Sequence, residues 1–145
     1  MQKISRSAVE QHINCQKCFY LAYKHKIRPF SLPFTLNSAV DNLCKNEFDH
    51  YRAKSEPHPL FLEHGIDAVP FAHEKMNEWR ENYRGIRYID ETAGFNFGGA
   101  VDDVWQKPSG ELIIVDVKAT SKKVFDWEDT YSKWEYAKGY QRQLE

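Results

Sequence analysis

The chain has 145 residues, of which 41% are hydrophobic and 28% charged, a composition that predicts one globular domain and argues against disorder. A net charge of −1 excludes a generally basic, histone-like nucleic-acid binder, but it leaves room for a segregated basic surface. Residues 1–30 carry six lysines and arginines against a single acid, Glu10. This excess favours either nucleic-acid contact or a solvated helical face.

The sequence carries no clear targeting or scaffold signal. No apolar run reaches the roughly 18 residues that a membrane-spanning helix needs, and residues 1–6 lack a secretory signal. Three cysteines are too few for a disulfide scaffold, so we expect a cytoplasmic protein with no membrane partner. Cys15 and Cys18 are interpreted as packing residues, because a lone C-x-x-C supplies too few ligands for structural zinc.

Helical patterns dominate residues 1–84. The S-x-x-E spacing from Ser7 to Glu10 is typical of a capping box. Apolar residues at steps of three to five predict a long amphipathic helix further on. The expected helices are one that begins near Ser7, a short one over 18–23 that is followed by the break at Pro29, one over 36–53 and one over 74–83. We interpret the Pro- and His-rich segment 55–73 as an irregular connection.

Strand patterns begin at Gly85. We expect strand-like stretches around 86–88 and 95–105, with turns at Ala93-Gly94 and at Pro108-Ser109-Gly110. The β-branched run 112–115 predicts a strand buried on both faces, and a helix is expected from Lys133. Because that helical pattern still runs at Glu145, we expect a further C-terminal segment. The fold class is therefore α/β, with a small mixed central sheet flanked by helices in a single domain, 1–145.

Two acidic side chains are expected to converge at one end of this sheet. Asp116 and Lys118 are two positions apart at the end of a strand, so they share a face, and antiparallel pairing across the turn brings Asp102 close. Two adjacent carboxylates repel each other unless a cation lies between them, and hard oxygen ligands suit Mg²⁺ or Mn²⁺. Asp103 should point to the opposite face. The alternative is that D-x-K forms only a surface ion pair.

These motifs resemble the PD-(D/E)xK phosphodiesterase superfamily, in its RecB-like branch, which includes CRISPR-associated RecB-like exonucleases. The resemblance rests on Gly99-Ala100-Val101-Asp102, Ile114-Val115-Asp116-Val117-Lys118-Ala119-Thr120 and Tyr140-Gln141-Arg142-Gln143-Leu144-Glu145. The segments Ile4-Ser5-Arg6-Ser7 and Cys15-Gln16-Lys17-Cys18-Phe19-Tyr20-Leu21 are also similar to that branch. The resemblance implies a restriction-endonuclease-like core with a helical N-terminal part, 1–84, and a catalytic sheet and helix, 85–145.

The resemblance also implies a role for each matching residue. Asp102 and Asp116 would ligate the metal, the backbone carbonyl of Val117 would be a further ligand, and Lys118 would be the catalytic lysine. Gln143 fits the glutamine of the Q-x-x-x-Y motif, whose tyrosine would fall beyond Glu145, and Gln141 competes for that place. An early helix in many members carries a metal-binding histidine, and Asp41 stands there in this chain. Asp41 could instead be a solvated helix residue, with Glu47 as a weaker candidate.

The function expected from this resemblance is a metal-dependent DNA nuclease, most simply an exonuclease, that uses Mg²⁺ or Mn²⁺. Lys122 and Lys123 follow the motif and are expected to contact DNA phosphates. The alternatives are a nuclease-fold protein that binds nucleic acid without cutting it, and a subunit of a repair or defence complex with a helicase-like partner.

Overall fold

Short helices and short strands alternate along the chain. The computed structural model describes residues 1–30, 35–119, 123, 126, 128 and 135–144. The helices are α1 (Arg6–Asn14), α2 (Gln16–Lys24), α3 (Thr35–Lys54), α4 (Pro59–Glu63), α5 (Met76–Trp79) and α6 (Glu135–Leu144). The strands are β1 (Gln2–Ser5), β2 (Val69–Pro70), β3 (Ile86–Asp90), β4 (Phe95–Gly99), β5 (Asp103–Gln106) and β6 (Leu112–Val115). This mixture of helices and small sheets confirms the α/β class.

The strands form two sheets instead of the single central sheet that was expected. One sheet has the order β1-β4-β3, with β1 parallel and β3 antiparallel to β4, and is therefore mixed. The other has the order β2-β5-β6 and is antiparallel. Residues 100–102 separate β4 from β5, so consecutive strands in the chain belong to different sheets.

Helix boundaries agree with the sequence where local patterns dominate. The long amphipathic helix, expected over 36–53, is confirmed as α3. The first helix begins one residue before Ser7, and Ser5 is its cap, since the Ser5 hydroxyl accepts a hydrogen bond from the Ala8 N–H at 3.2 Å. Ser5 ends β1 with extended backbone, so strand pairing decides where α1 begins. The helix expected over 74–83 is limited to α5.

The segment 55–73 has more structure than expected. His58 is buried and caps α4, because its Nδ1 accepts a hydrogen bond from the Leu60 N–H at 3.1 Å, and Pro59 occupies the first helical position. The same ring packs edge-on against Phe48, with ring centroids 5.1 Å apart. The core nearby consists of Phe48, Phe61, Ala68 and Trp105.

The expectation that β6 is buried on both faces is wrong within the described part of the chain. Leu112 and Ile114 are 45% and 42% exposed, whereas Ile113 and Val115 pack against the core. β6 lies at the edge of its sheet, and its alternate side chains point away from the core.

A buried ion-pair network joins α3, α5 and β5. Asp103 is fully buried, and Arg52 of α3 donates a hydrogen bond to its carboxylate. The Arg80 Nη2 atom lies 3.2 Å from the same oxygen, and Arg80 also binds Asp49 at 2.9 and 3.0 Å. Burial lowers the pKa of Arg52, and the charge of Asp103 opposes that shift. Asp103 therefore faces the interior, whereas its neighbour Asp102 points to the opposite face, as predicted.

Cys15 and Cys18 form a disulfide, which corrects their interpretation as packing residues. Their Cα atoms are 5.3 Å apart, which is within the normal range for a disulfide. Cys15 is also the N-cap of α2, and Cys44 is a free thiol. Among the described residues, no helix is both long and apolar enough to cross a membrane.

Candidate active site

Asp102 and Asp116 lie beside each other because β5 and β6 pair antiparallel. The register places Asp103 opposite Val115, and the Asp102 N–H donates to the Val115 carbonyl at 3.2 Å. The Val117 N–H in turn donates to the Asp102 carboxylate at 2.7 Å. One hairpin therefore holds both carboxylates, as the spacing of the motif predicted.

Asp116 has a separate partner on each of its carboxylate oxygens. The Lys118 ammonium pairs with Oδ2, and the side-chain NH₂ of Gln143 donates to Oδ1. Lys118 also lies over the Tyr140 ring, 5.1 Å from its centroid. Gln141 is exposed, so Gln143 is the glutamine that faces the site.

Asp41 reaches the same cluster through Lys45. The Lys45 ammonium lies 2.7 Å from Asp41 Oδ2 and 3.7 Å from Asp102 Oδ1, and so links the two acids. The second oxygen of Asp41, Oδ1, is buried and has no hydrogen-bond partner among the residues that the structure describes. Asp41 is therefore part of the acidic cluster as well as a residue on the α3 surface. Glu47 instead lies 3.2 Å from His58, outside the cluster.

The cluster is electrostatically strained at Asp102. Burial raises the pKa of this carboxyl, and the charges of Asp116 and Asp41 raise it further. The hydrogen bond from the Val117 N–H and the charge of Lys45 act in the opposite direction. The net effect is a raised pKa, with burial as its largest cause and the charges of Asp116 and Asp41 as smaller ones.

The donor chemistry fits a hard divalent cation, although the present arrangement does not enclose one. The carboxylates of Asp41, Asp102 and Asp116, among them the Oδ1 of Asp41, supply oxygen donors of the kind that Mg²⁺ and Mn²⁺ prefer. Within the described residues, however, no three His, Cys, Asp or Glu side chains already surround a point that could hold a metal ion. The cations that meet these carboxylates are Lys45 and Lys118.

Of the remaining predicted site residues, the structure describes Val117 and Lys123. Val117 holds Asp102 through its N–H, and its side chain packs against the core, whereas its carbonyl as a ligand rests on the resemblance alone. Lys123 is exposed. Lys122 lies outside the described residues.

Within the part of the chain that the structure describes, sequence reasoning missed three side chains that contact the predicted residues. Lys45 had a readable signal, since it follows Asp41 by four positions on a helix. Tyr140 precedes Gln143 by three positions on α6, which places both on one face. Arg6 donates a hydrogen bond to the Gln143 side-chain oxygen at 2.6 Å. The two residues are 137 positions apart in the sequence, so no local pattern predicts this contact.

Comparison of the chain with protein-family models, with curated proteins and with solved structures found no match.

Proposed function

We propose that the protein is a metal-dependent DNA nuclease whose site contains Asp41, Asp102, Asp116, Lys118 and Gln143. One observation carries the proposal. Lys118 and Gln143 both contact the Asp116 carboxylate, Asp102 lies beside it through the β5–β6 register, and Gln143 is 27 positions further along the chain, on α6. A surface ion pair between Asp116 and Lys118 would not need Gln143, nor a second acid on the adjacent strand.

The carboxylates would hold Mg²⁺ or Mn²⁺, with Asp102 and Asp116 contributing from one hairpin and Asp41 from α3. Such an ion, when bound, neutralises charge on a phosphodiester and acidifies a coordinated water. Binding requires Lys45 to withdraw from Asp41 and Asp102, because its ammonium lies between them. Burial and, to a smaller extent, the charges of Asp116 and Asp41 raise the pKa of Asp102, and a divalent cation would offset the part due to those charges.

Lys118 would act on the phosphate or on the attacking water. In hydrolysis, the water oxygen bonds to phosphorus, the ester P–O bond breaks and the leaving oxygen takes up a proton. An ammonium beside this centre steadies the phosphate oxygens as a point charge or orients the water. Its contact with the Tyr140 ring limits where the long lysine side chain can go.

Cleavage assays with variants test this proposal directly. Linear and circular DNA, each single- and double-stranded, would be incubated with the protein and Mn²⁺ or a chelator. We expect cleavage only with metal, and we expect Asp116→Ala and Lys118→Ala to abolish it while both proteins remain folded. Cleavage of linear but not circular DNA would identify an exonuclease. Retained activity in either variant would reject the assignment.

A second candidate function follows from the lysines themselves. Lys45 and Lys118 pair with Asp41 and Asp116 without any metal, so the cluster already has counter-ions. If these pairs are permanent, the protein would bind nucleic acid but not cut it. In that case wild-type protein would bind DNA yet take up no Mn²⁺ in a calorimetric titration.

A further inference from the structure

Helices α1 and α6 are joined by two side chains on a single face of α1. Arg6 and Glu10 are four residues apart and therefore lie on the same face. Glu10 accepts hydrogen bonds from Arg142 at 2.6 and 3.0 Å, which hold the pKa of Glu10 below its usual range. Arg6 donates to the Gly139 carbonyl at 3.2 Å and to the Gln143 side-chain oxygen at 2.6 Å.

The two ends of the Gln143 amide meet neighbours with opposite requirements. An arginine has only donors, so Arg6 can bind only the amide oxygen. An ionised carboxylate only accepts, so Asp116 can bind only the amide nitrogen. The observed orientation satisfies both neighbours, because the oxygen faces Arg6 and the NH₂ faces Asp116. Rotating the amide by half a turn would set donor against donor at Arg6 and oxygen against oxygen at Asp116.

We propose that Arg6 is a positioning residue of the candidate site. It selects the amide orientation of Gln143, and Gln143 then holds one oxygen of Asp116 and aims the other at Lys118. The effect on cleavage rests on the proposed nuclease function. The amide orientation itself belongs to the folded chain and can be measured without metal or DNA.

The α1–α6 contact supplies a matched control. Glu10→Gln weakens the contact with Arg142, on the same helix face, but leaves the partners of the Gln143 amide in place. Arg6→Met removes the guanidinium that selects the orientation. Arg6→Gln is a milder second variant, because its own amide can donate or accept and so no longer discriminates between the two orientations of Gln143.

The first measurement is the NMR spectrum of the side-chain amides in metal-free protein. The Gln143 resonances would be assigned by their loss in Gln143→Leu. We expect the wild-type pair to be shifted from free glutamine, to remain so in Glu10→Gln, and to move towards free glutamine in both Arg6 variants. Unchanged Gln143 resonances in both Arg6 variants would overturn the proposal.

The second measurement is a double-mutant cycle of Arg6 and Gln143, with the kcat of Mn²⁺-dependent cleavage as the readout. We expect Arg6→Met to lower kcat by about tenfold or more with little change in KM, as for other residues that orient a ligating side chain, and Glu10→Gln to stay within about twofold. In a protein that already carries Gln143→Leu, Arg6→Met should not lower kcat any further. An equal loss on both backgrounds would show that Arg6 acts independently of Gln143 and would overturn the proposal.

The two measurements separate the failure of the inference from that of the proposed function. If the wild-type protein cuts no DNA while the amide shifts follow Arg6, the nuclease assignment fails and the positioning role stands. If the protein cuts DNA and both Arg6 variants leave kcat and the amide resonances unchanged, the positioning role fails and the nuclease assignment stands.

Discussion

The adjacent aspartates Asp102 and Asp103 should respond oppositely to the same isosteric change. Asp103 is fully buried and neutralises Arg52 and Arg80, whose side chains are only 10% and 8% exposed. Replacing this carboxylate by an amide removes the buried anion that both guanidinium groups share and leaves them the more exposed carboxylate of Asp49. Asp102 is 24% exposed at its side chain and lies beside two other carboxylates, so the same change there relieves repulsion.

The expected magnitude for Asp103→Asn follows from the cost of breaking a buried ion pair. Removing one partner of such a pair costs about 3–5 kcal/mol. The amide oxygen can still accept one hydrogen bond, so we expect the lower end, which corresponds to a fall in Tm of roughly 10 °C for a chain of this length. For Asp102→Asn we expect an unchanged or higher Tm near neutral pH, because the Val117 N–H can still donate to the amide oxygen.

The pH dependence of the Asp102 effect has a definite sign. Folding raises the pKa of Asp102 above its usual 3.8. As pH rises, the unfolded chain therefore loses this proton before the folded protein does. The stability of the wild type falls between the pKa of the unfolded chain and that of the folded protein. Relative to wild type, Asp102→Asn should therefore gain stability as pH rises through this window. Thermal unfolding by circular dichroism at about pH 3 and at pH 7 would measure the difference. An equal fall in Tm for Asp102→Asn and Asp103→Asn at pH 7 would refute the reasoning.

Two further substitutions and one chemical titration also have expected outcomes. Lys45→Met should tighten Mn²⁺ binding in a calorimetric titration, because no ammonium then competes for Asp41 and Asp102; weaker binding would contradict this. Gly139→Ala should lower the Tm measured by circular dichroism, since the added Cβ would lie 3.0 Å from Glu10 Oε1 and displace a carboxylate that binds Arg142; an unchanged or higher Tm would contradict this. Thiol titration of denatured, unreduced protein should find only Cys44, and all three cysteines after reduction.

Features that depend on nearby residues could be predicted from the sequence. The apolar repeat gave α3 to within a residue at each end. The Ala93-Gly94 turn is confirmed, with Gly94 at a φ of 70° that favours glycine. The pairing of Asp102 with Asp116 followed from one hairpin turn and the alternation of a strand.

Features that depend on distant contacts could not be predicted in this way. The mixed sheet β1-β4-β3 depends on β1 pairing with β4 across more than ninety positions. Ser5 caps α1 in place of Ser7 because that pairing keeps Ser5 extended. Arg6 contacts Gln143 only once α6 has docked on α1. In each case the partner lies too far along the chain to leave a local pattern.

The central claim is that the carboxylates around Asp102 and Asp116 bind a divalent cation. Calorimetric titration of metal-free protein with Mn²⁺ tests it most directly, and Asp116→Asn is the variant to compare. The control is Asp90→Asn, at the end of β3, where the Asp90 carboxylate accepts a hydrogen bond from the Ala93 N–H. The account predicts saturable binding by the wild type and by Asp90→Asn, and its loss in Asp116→Asn. Equal Mn²⁺ binding by all three proteins, or none by the wild type, would contradict it.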